Sequence, residues 1–251
     1  MSENIIKKVE DRLLDELNRY VINLEIILAT RFLIRSKELK INICPPERKV
    51  TIKNKSKNKP PDLIVYDSTQ NFVLNEIKSS MNPGKDSLLQ ILDYLNIESI
   101  LDDNGNSILY NNYSLNLIIN IESYKDASEY LLSTIGETKK NIFSITSFTR
   151  SESVPKKGSI YYLFELRNNK TIIEEFNDLL HSLEKVYNID IQLEGEQLYF
   201  ISTPPVQYTI TILWSLIVPA VIHDKKNQEF SFDNLEIIIK EYYCRWNQNT
   251  I

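Results

Sequence analysis

Glycine is scarce in this chain, with five in 251 residues, and none of them forms GxGxxG or GxxxxGKS/T. Dinucleotide and P-loop sites need clustered glycines so that backbone can approach a phosphate, and both classes are therefore poorly supported. Cysteine is scarcer still: Cys44 and Cys244 stand far apart, with no CxxC. Neither a disulfide framework nor a zinc knuckle can be argued, and a reducing, cytoplasmic setting is expected. The two histidines, His181 and His223, have no neighbouring Cys or second His, which argues against a metal or triad role. The longest apolar run, Thr209 to Ile222, falls short of the roughly 20 residues of a membrane-spanning helix and reads as a buried one. The opening Met-Ser-Glu-Asn lacks the basic and apolar regions of a secretory signal. Positive charge is in deficit as well, 29 Lys and Arg against 34 Asp and Glu, so contact with nucleic acid has to be local rather than global.

What is present is an ordinary globular composition, 42% hydrophobic and 25% charged, in a chain long enough to bury a sizeable core. Residues 4 to 38 carry apolar side chains at helical spacing (Ile6, Val9, Leu13, Leu17, Tyr20, Leu24, Ile27) and no Pro or Gly. ERKVTIKNKSKNK, residues 47 to 59, has six basic residues against one acidic and ends at Pro60-Pro61, the composition of a basic loop. DLIVYD (62 to 67) and FVLNEIKSS (72 to 80) flank a turn-like Ser68-Thr69-Gln70-Asn71 and predict a hairpin. A helix is expected over SLLQILDYLNIESI from Asp86 or Ser87, followed by a strand at 114 to 123. Beyond residue 125 the pattern predicts a helix at 124 to 134, strands at 141 to 148 and 158 to 166, an amphipathic helix at 171 to 187, and paired strands IDIQL and QLYFIS. Two further helices are expected at 206 to 222 and 232 to 246. SESVPKKG suggests a boundary that separates residues 1–150 from an α/β extension at 151–251.

Chemistry concentrates in Pro61-Asp62, Glu76-Ile77-Lys78 and Gln90-x-x-x-Tyr94. Side chains alternate faces on a strand, so Glu76 and Lys78 share one face, and a hairpin can bring Asp62 beside them. Two acids and an ammonium converging at a buried hairpin are costly unless something ionic organises them. Asp62, Glu76 and the carbonyl of Ile77 make an all-oxygen site suited to Mg²⁺ or Mn²⁺. Such an ion would lower the pKa of water and neutralise charge on phosphorus, with Lys78 orienting the water or facing the transition state. The competing structural reading makes Asp62 a turn cap and pairs Lys78 with Glu76 across a solvated strand end. ExK alone is weak, since Glu38-Leu39-Lys40 and Glu137-Thr138-Lys139 also contain it.

These residues resemble the PD-(D/E)xK nuclease superfamily, and Gln-x-x-x-Tyr is similar to the element that follows the catalytic strand in RecB-type nucleases. The resemblance covers about residues 5 to 125. It implies an α/β fold with a restriction-endonuclease-like αβββαβ core around a central mixed sheet, residues 39 to 53 forming an irregular first strand. It also implies that Gln90 and Tyr94 position substrate and active site, and that the first helix supplies one more acid. Glu10, Glu16 and Glu25 are the candidates for that acid, with Glu10 preferred. Lys53, Lys55, Lys57 and Lys59 would hold phosphates near the metal. The expected function is a Mg²⁺- or Mn²⁺-dependent nuclease acting on DNA, with RNA as the other substrate class. The alternative is a silent or partner-dependent subunit of a nucleic-acid processing or defence assembly, and a weaker third is a DNA-binding regulator using the C-terminal helices. A protein partner for the C-terminal half and a homodimer are both compatible with the chain. Trp214, Trp246, Tyr242 and Tyr243 fit core positions better than a base-stacking platform.

Overall fold

In a computed structural model of the chain, the described residues run from 14 to 187 with short internal gaps, the longest at 54–59 and 153–159. The expected strands IDIQL and QLYFIS, the helices at 206–222 and 232–246, and Glu10, Lys55, Lys57 and Lys59 lie outside the described residues. The chain divides into two compact units, one of Met1–Leu24 with Ile191–Ile251 and one of Glu25–Asp190. In the first, the described residues 14–16 and 18–24 are helical, and Arg19 pairs with Asp15 one turn away at 3.3 Å.

The second unit is a mixed α/β fold. Its strands are β1 Ile41–Ile43, β2 Val50–Ile52, β3 Leu63–Asp67, β4 Asn71–Lys78, β5 Ile97–Leu101, β6 Ser107–Ile108, β7 Asn112–Asn120, β8 Phe143–Glu152, β9 Ile160–Leu166 and β10 Val186–Tyr187. Its helices are α1 Lys85–Asp93, α2 Ile121–Thr134, α3 Glu137–Lys140 and α4 Glu174–His181. A seven-stranded sheet has the order β1-β3-β4-β7-β8-β9-β10, and β2-β5-β6 form a separate small sheet. β3 and β4 pair antiparallel, β4, β7 and β8 run parallel, and β9 returns antiparallel to β8. β8 runs through residue 150, so strands on both sides of that point share one sheet.

The β3–β4 turn forms where its composition predicts. The Asp67 carboxylate accepts from Thr69 N–H at 2.8 Å and Asn71 N–H at 3.0 Å, and Gln70 takes a left-handed φ of 59°, so one short acid closes the loop. Hydrogen bonds from Thr69 and Asn71 outweigh the effect of burial and hold Asp67 below the usual carboxylate range. β4 is buried from Phe72 to Ile77, as befits a central strand covered on both sides. On one face Phe72, Leu74, Leu115, Leu117, Ile119, Phe143 and Ile145 join Leu88 and Ile91 of α1 and Ala127 and Leu131 of α2 in one core. On the other, Phe148, Tyr162 and Phe164 pack ring to ring, with centroids 5.8–6.4 Å apart.

Three expected boundaries shift. The helix from residue 87 ends at Asp93, passes through a 3₁₀ turn at Tyr94–Asn96, and gives way to β5. Ile97 and Ile100 favour a strand there, and β5 finds a partner in β2, with Val50 opposite Ile100. The irregular first strand is two strands in two sheets, β1 beside β3 and β2 beside β5. The helix expected over 171–187 spans Glu174–His181, and Val186–Tyr187 instead pair with β9.

Leu117 is fully buried at the centre of the sheet, in register with Glu76. Leu117→Ala is expected to destabilise the unit by about 3 kcal/mol, read as a lower urea midpoint with an unchanged slope.

Candidate functional site

β3 begins where it does because Pro60 and Pro61 have no N–H to donate to a ladder. One step beyond the Leu63–Asn75 pair, Asp62 falls opposite Glu76. There the side chain takes over from the backbone, and Ile77 N–H donates to Asp62 Oδ2 at 2.7 Å. The ladder of β4 is thereby completed by a carboxylate, which fixes that group against β4. Glu76 follows on the same face, 7% exposed, and Lys78 Nζ donates to Glu76 Oε1 at 2.8 Å. Tyr94 enters from the 3₁₀ turn after α1, and its hydroxyl donates to the Pro60 carbonyl at 3.1 Å.

Asp62, Glu76, Lys78 and Tyr94 are thus brought together. Packing pushes the Asp62 carboxyl up to about 7, and the neighbouring Glu76 charge adds to the rise, while the Ile77 N–H and the Lys78 ammonium oppose it. Asp62 as a residue keeps an exposed flank, which tempers the desolvation; the Glu76 charge acts in the same direction regardless of that flank. Tyr94 is raised above its ordinary range by burial and then by Glu76 and Asp62, so its hydroxyl stays a neutral donor.

The remaining expected residues are distributed otherwise. Gln90 lies exposed on α1, one turn before Tyr94. Lys53 is exposed at the end of β2, its N–H donating to the Asn96 carbonyl at 2.9 Å, two residues from Tyr94. Glu16 is half-buried in the other unit. Glu25, 3% exposed, is engaged elsewhere: Arg150 donates to both its oxygens at 2.9 and 3.2 Å, and Tyr162 Oη donates to it as well. Burial and then the Glu25 charge raise Tyr162 and keep it protonated in that role.

The donor set fits a hard dication with few protein ligands. Asp62 and Glu76 lie opposite each other across two paired strands, with Ile77 the residue after Glu76, and Mg²⁺ ordinarily takes one or two carboxylates and fills its shell with water and phosphate. Among the described residues, no group of three or more His, Cys, Asp or Glu side chains could hold a metal. Reading the sequence for chemistry passed over two asparagines, Asn75 and Asn116, each in the middle of an apolar strand and each fully buried. Their signal was an amide inside FVLNEIK and another inside SLNLIIN.

Comparison with family models, with curated proteins and with solved structures finds no match to this chain.

A raised carboxyl has a definite sign in the stability curve. Between about pH 4 and 7 the folded protein retains a proton on Asp62 that the unfolded chain has released, so stability falls as pH rises through that window. Asp62→Asn, which keeps an acceptor for Ile77 N–H, is expected to flatten this decline in urea titrations run at pH 5 and pH 8. In ¹³C-detected NMR, the Asp62 carboxyl should titrate near 7 in wild type and lower in Glu76→Gln; a midpoint near 4 in both would contradict the assignment.

Proposed function

We propose that the second unit carries a nuclease core of the PD-(D/E)xK type and hydrolyses phosphodiester bonds of DNA with Mg²⁺ or Mn²⁺. One observation carries the reading: Asp62, Glu76 and Lys78 lie at one sheet end, with the Asp62 carboxylate held by Ile77 N–H at 2.7 Å and Lys78 on Glu76 at 2.8 Å. The order of elements supports it, since β1, β3, β4, α1 and β7 follow the βββαβ part of the αβββαβ scheme, with the small β2-β5-β6 sheet as an insertion.

Asp62, Glu76 and the Ile77 carbonyl would hold the ion. When bound, it supplies charge neutralisation at the scissile phosphate and lowers the pKa of water there. Asp62 would have to be ionised to serve as a ligand, so ion affinity would decline below about pH 7. Lys78, beside Glu76 on the same strand face, would orient the attacking water and face the negative charge developing on the phosphate. Tyr94 fixes the approach to Asp62 by holding the Pro60 carbonyl. Lys53, with the basic stretch after it, contributes local positive charge to a chain of net charge −5.

A second reading has its own support. Glu25 is committed to Arg150 and Tyr162, so the first-helix acid of the family is not supplied by that residue. A partner-dependent subunit of a nucleic-acid processing or defence assembly would need no acid from Glu25, while Glu10 lies outside the described residues.

End-labelled single- and double-stranded DNA, and RNA of the same sequence, separate these readings when incubated with Mg²⁺, Mn²⁺ or EDTA. Wild type is expected to cleave DNA in the presence of metal only, and Asp62→Ala and Lys78→Ala, folded by circular dichroism, to lose about 10²-fold or more. Equal cleavage by all three chains would assign the activity to a contaminant or to another site. Inactive wild type that copurifies with a larger protein, and cleaves once that protein is present, would favour the subunit.

A further inference from the structure

Directly behind the acids, on the opposite face of the sheet, runs a buried polar ladder. Asn75, Asn116, Ser144 and Thr146 are all 0% exposed and lie on the three adjacent strands β4, β7 and β8. Asn75 and Asn116 are register partners, and Asn116 is in turn the partner of Ser144. Asn75 Nδ2 donates to the carbonyls of Leu63 and Val73, both at 3.3 Å. Its Oδ1 accepts from Asn116 Nδ2 at 2.9 Å. Asn116 Oδ1 accepts from Ser144 Oγ at 3.1 Å and Thr146 Oγ1 at 3.0 Å, and the Ser144 hydroxyl also lies 3.2 Å from the Leu115 carbonyl. Carbonyl partners on one side of Asn75 and an amide donor on the other leave a single orientation for its side chain.

Amides buried without partners are costly, so this ladder tolerates one strand register only. Its first rung touches the site's own geometry. Leu63 is the residue after Asp62, and Asn75 is the residue before Glu76. The Leu63 carbonyl held by Asn75 is therefore one peptide unit from the first acid and one residue across from the second. A slip of one residue between β3 and β4 would turn Glu76 and Lys78 to the opposite face. We infer that Asn75 is a positioning residue for the Asp62–Glu76 pair: its amide clamps the start of β3 to β4 from the far face and fixes the spacing of the two carboxylates that take the divalent ion. The inference rests on the metal-site reading above. Thr146 and Ser144, two strands away, stabilise the ladder without touching β3.

The test is Mn²⁺ binding followed by electron paramagnetic resonance on the full-length protein without substrate, alongside urea unfolding of each variant. Asn75→Ala is expected to raise the Mn²⁺ dissociation constant about tenfold or more, the usual scale for residues that orient metal ligands. Thr146→Val and Ser144→Ala are expected to lower the urea midpoint and leave Mn²⁺ affinity within twofold of wild type. Asn75→Ser, which retains one donor, should fall between wild type and alanine, and it serves as the variant if the alanine chain does not fold. Asn75 variants that bind Mn²⁺ as tightly as wild type, or Thr146→Val weakening Mn²⁺ as much as Asn75→Ala, would overturn the role of Asn75 while leaving the metal site standing. Wild type that binds no Mn²⁺, or binds it no better than Asp62→Ala, would remove the metal site and this inference with it.

Discussion

The hydrogen bond from Ile77 N–H to the Asp62 carboxylate ties the chemistry of this protein to its fold. A β-ladder asks each strand for a backbone acceptor at regular intervals, and a double proline interrupts the neighbouring chain just where β4 still has an N–H to satisfy. An aspartate immediately after the prolines fills that place with a side-chain oxygen. The consequence is a carboxylate pinned opposite Glu76 at the sheet's end, one step outside regular pairing. Burial and then the neighbouring Glu76 charge penalise its ionisation, and the Ile77 N–H and Lys78 partly compensate. Two like charges here repel, and retention of a proton on Asp62 together with the Lys78 ammonium 2.8 Å from Glu76 Oε1 relieves that repulsion.

Strand alternation made most of that end of the sheet legible from residues alone. Asp62, Glu76 and Lys78 could be assigned to one face from the hairpin FVLNEIK and its turn, because a period of two leaves no other choice once the register is set. Tyr94 stood out only through the resemblance of Gln-x-x-x-Tyr to a family element, and the helix that carries Gln90 ends just before it. The isoleucines of IESI are equally content on a helix stripe or in a strand, and only a partner such as Val50 decides between them. β2 and β5 are separated by more than forty residues, and no local pattern announces that they pair. Val186–Tyr187 changed from helix to strand for the same reason, with the exposed edge of β9 providing the partner.

Glu25 illustrates a different limit. On the first helix it was one of three candidate acids, with Glu10 preferred, although a broad apolar stripe gives no angular preference among them. Its commitment comes from Arg150 and Tyr162, 125 and 137 residues further on, which face each other across β8 and β9. A charge 3% exposed is tolerable only with partners that satisfy both oxygens, and a forked guanidinium plus a phenol does so. Helical spacing carries no trace of such a long-range pairing. Arg150 and Tyr162 were visible in the sequence as strand residues, without any mark of the acid they would meet.

The two faces of β4 divide the work along the same logic. Toward α1 and α2 the strand presents apolar side chains until its last turn of the pleat, where Glu76 and Lys78 appear and the core opens. Away from those helices it buries an asparagine with every polar atom matched. An apolar residue at position 75 would pack that face without specifying how β3, β4 and β7 align, because hydrophobic contacts are nearly indifferent to a small sliding displacement. Directional hydrogen bonds are not indifferent. A hairpin that sets two acids opposite each other at its end gains from the stricter constraint, and the constraint sits one residue before Glu76.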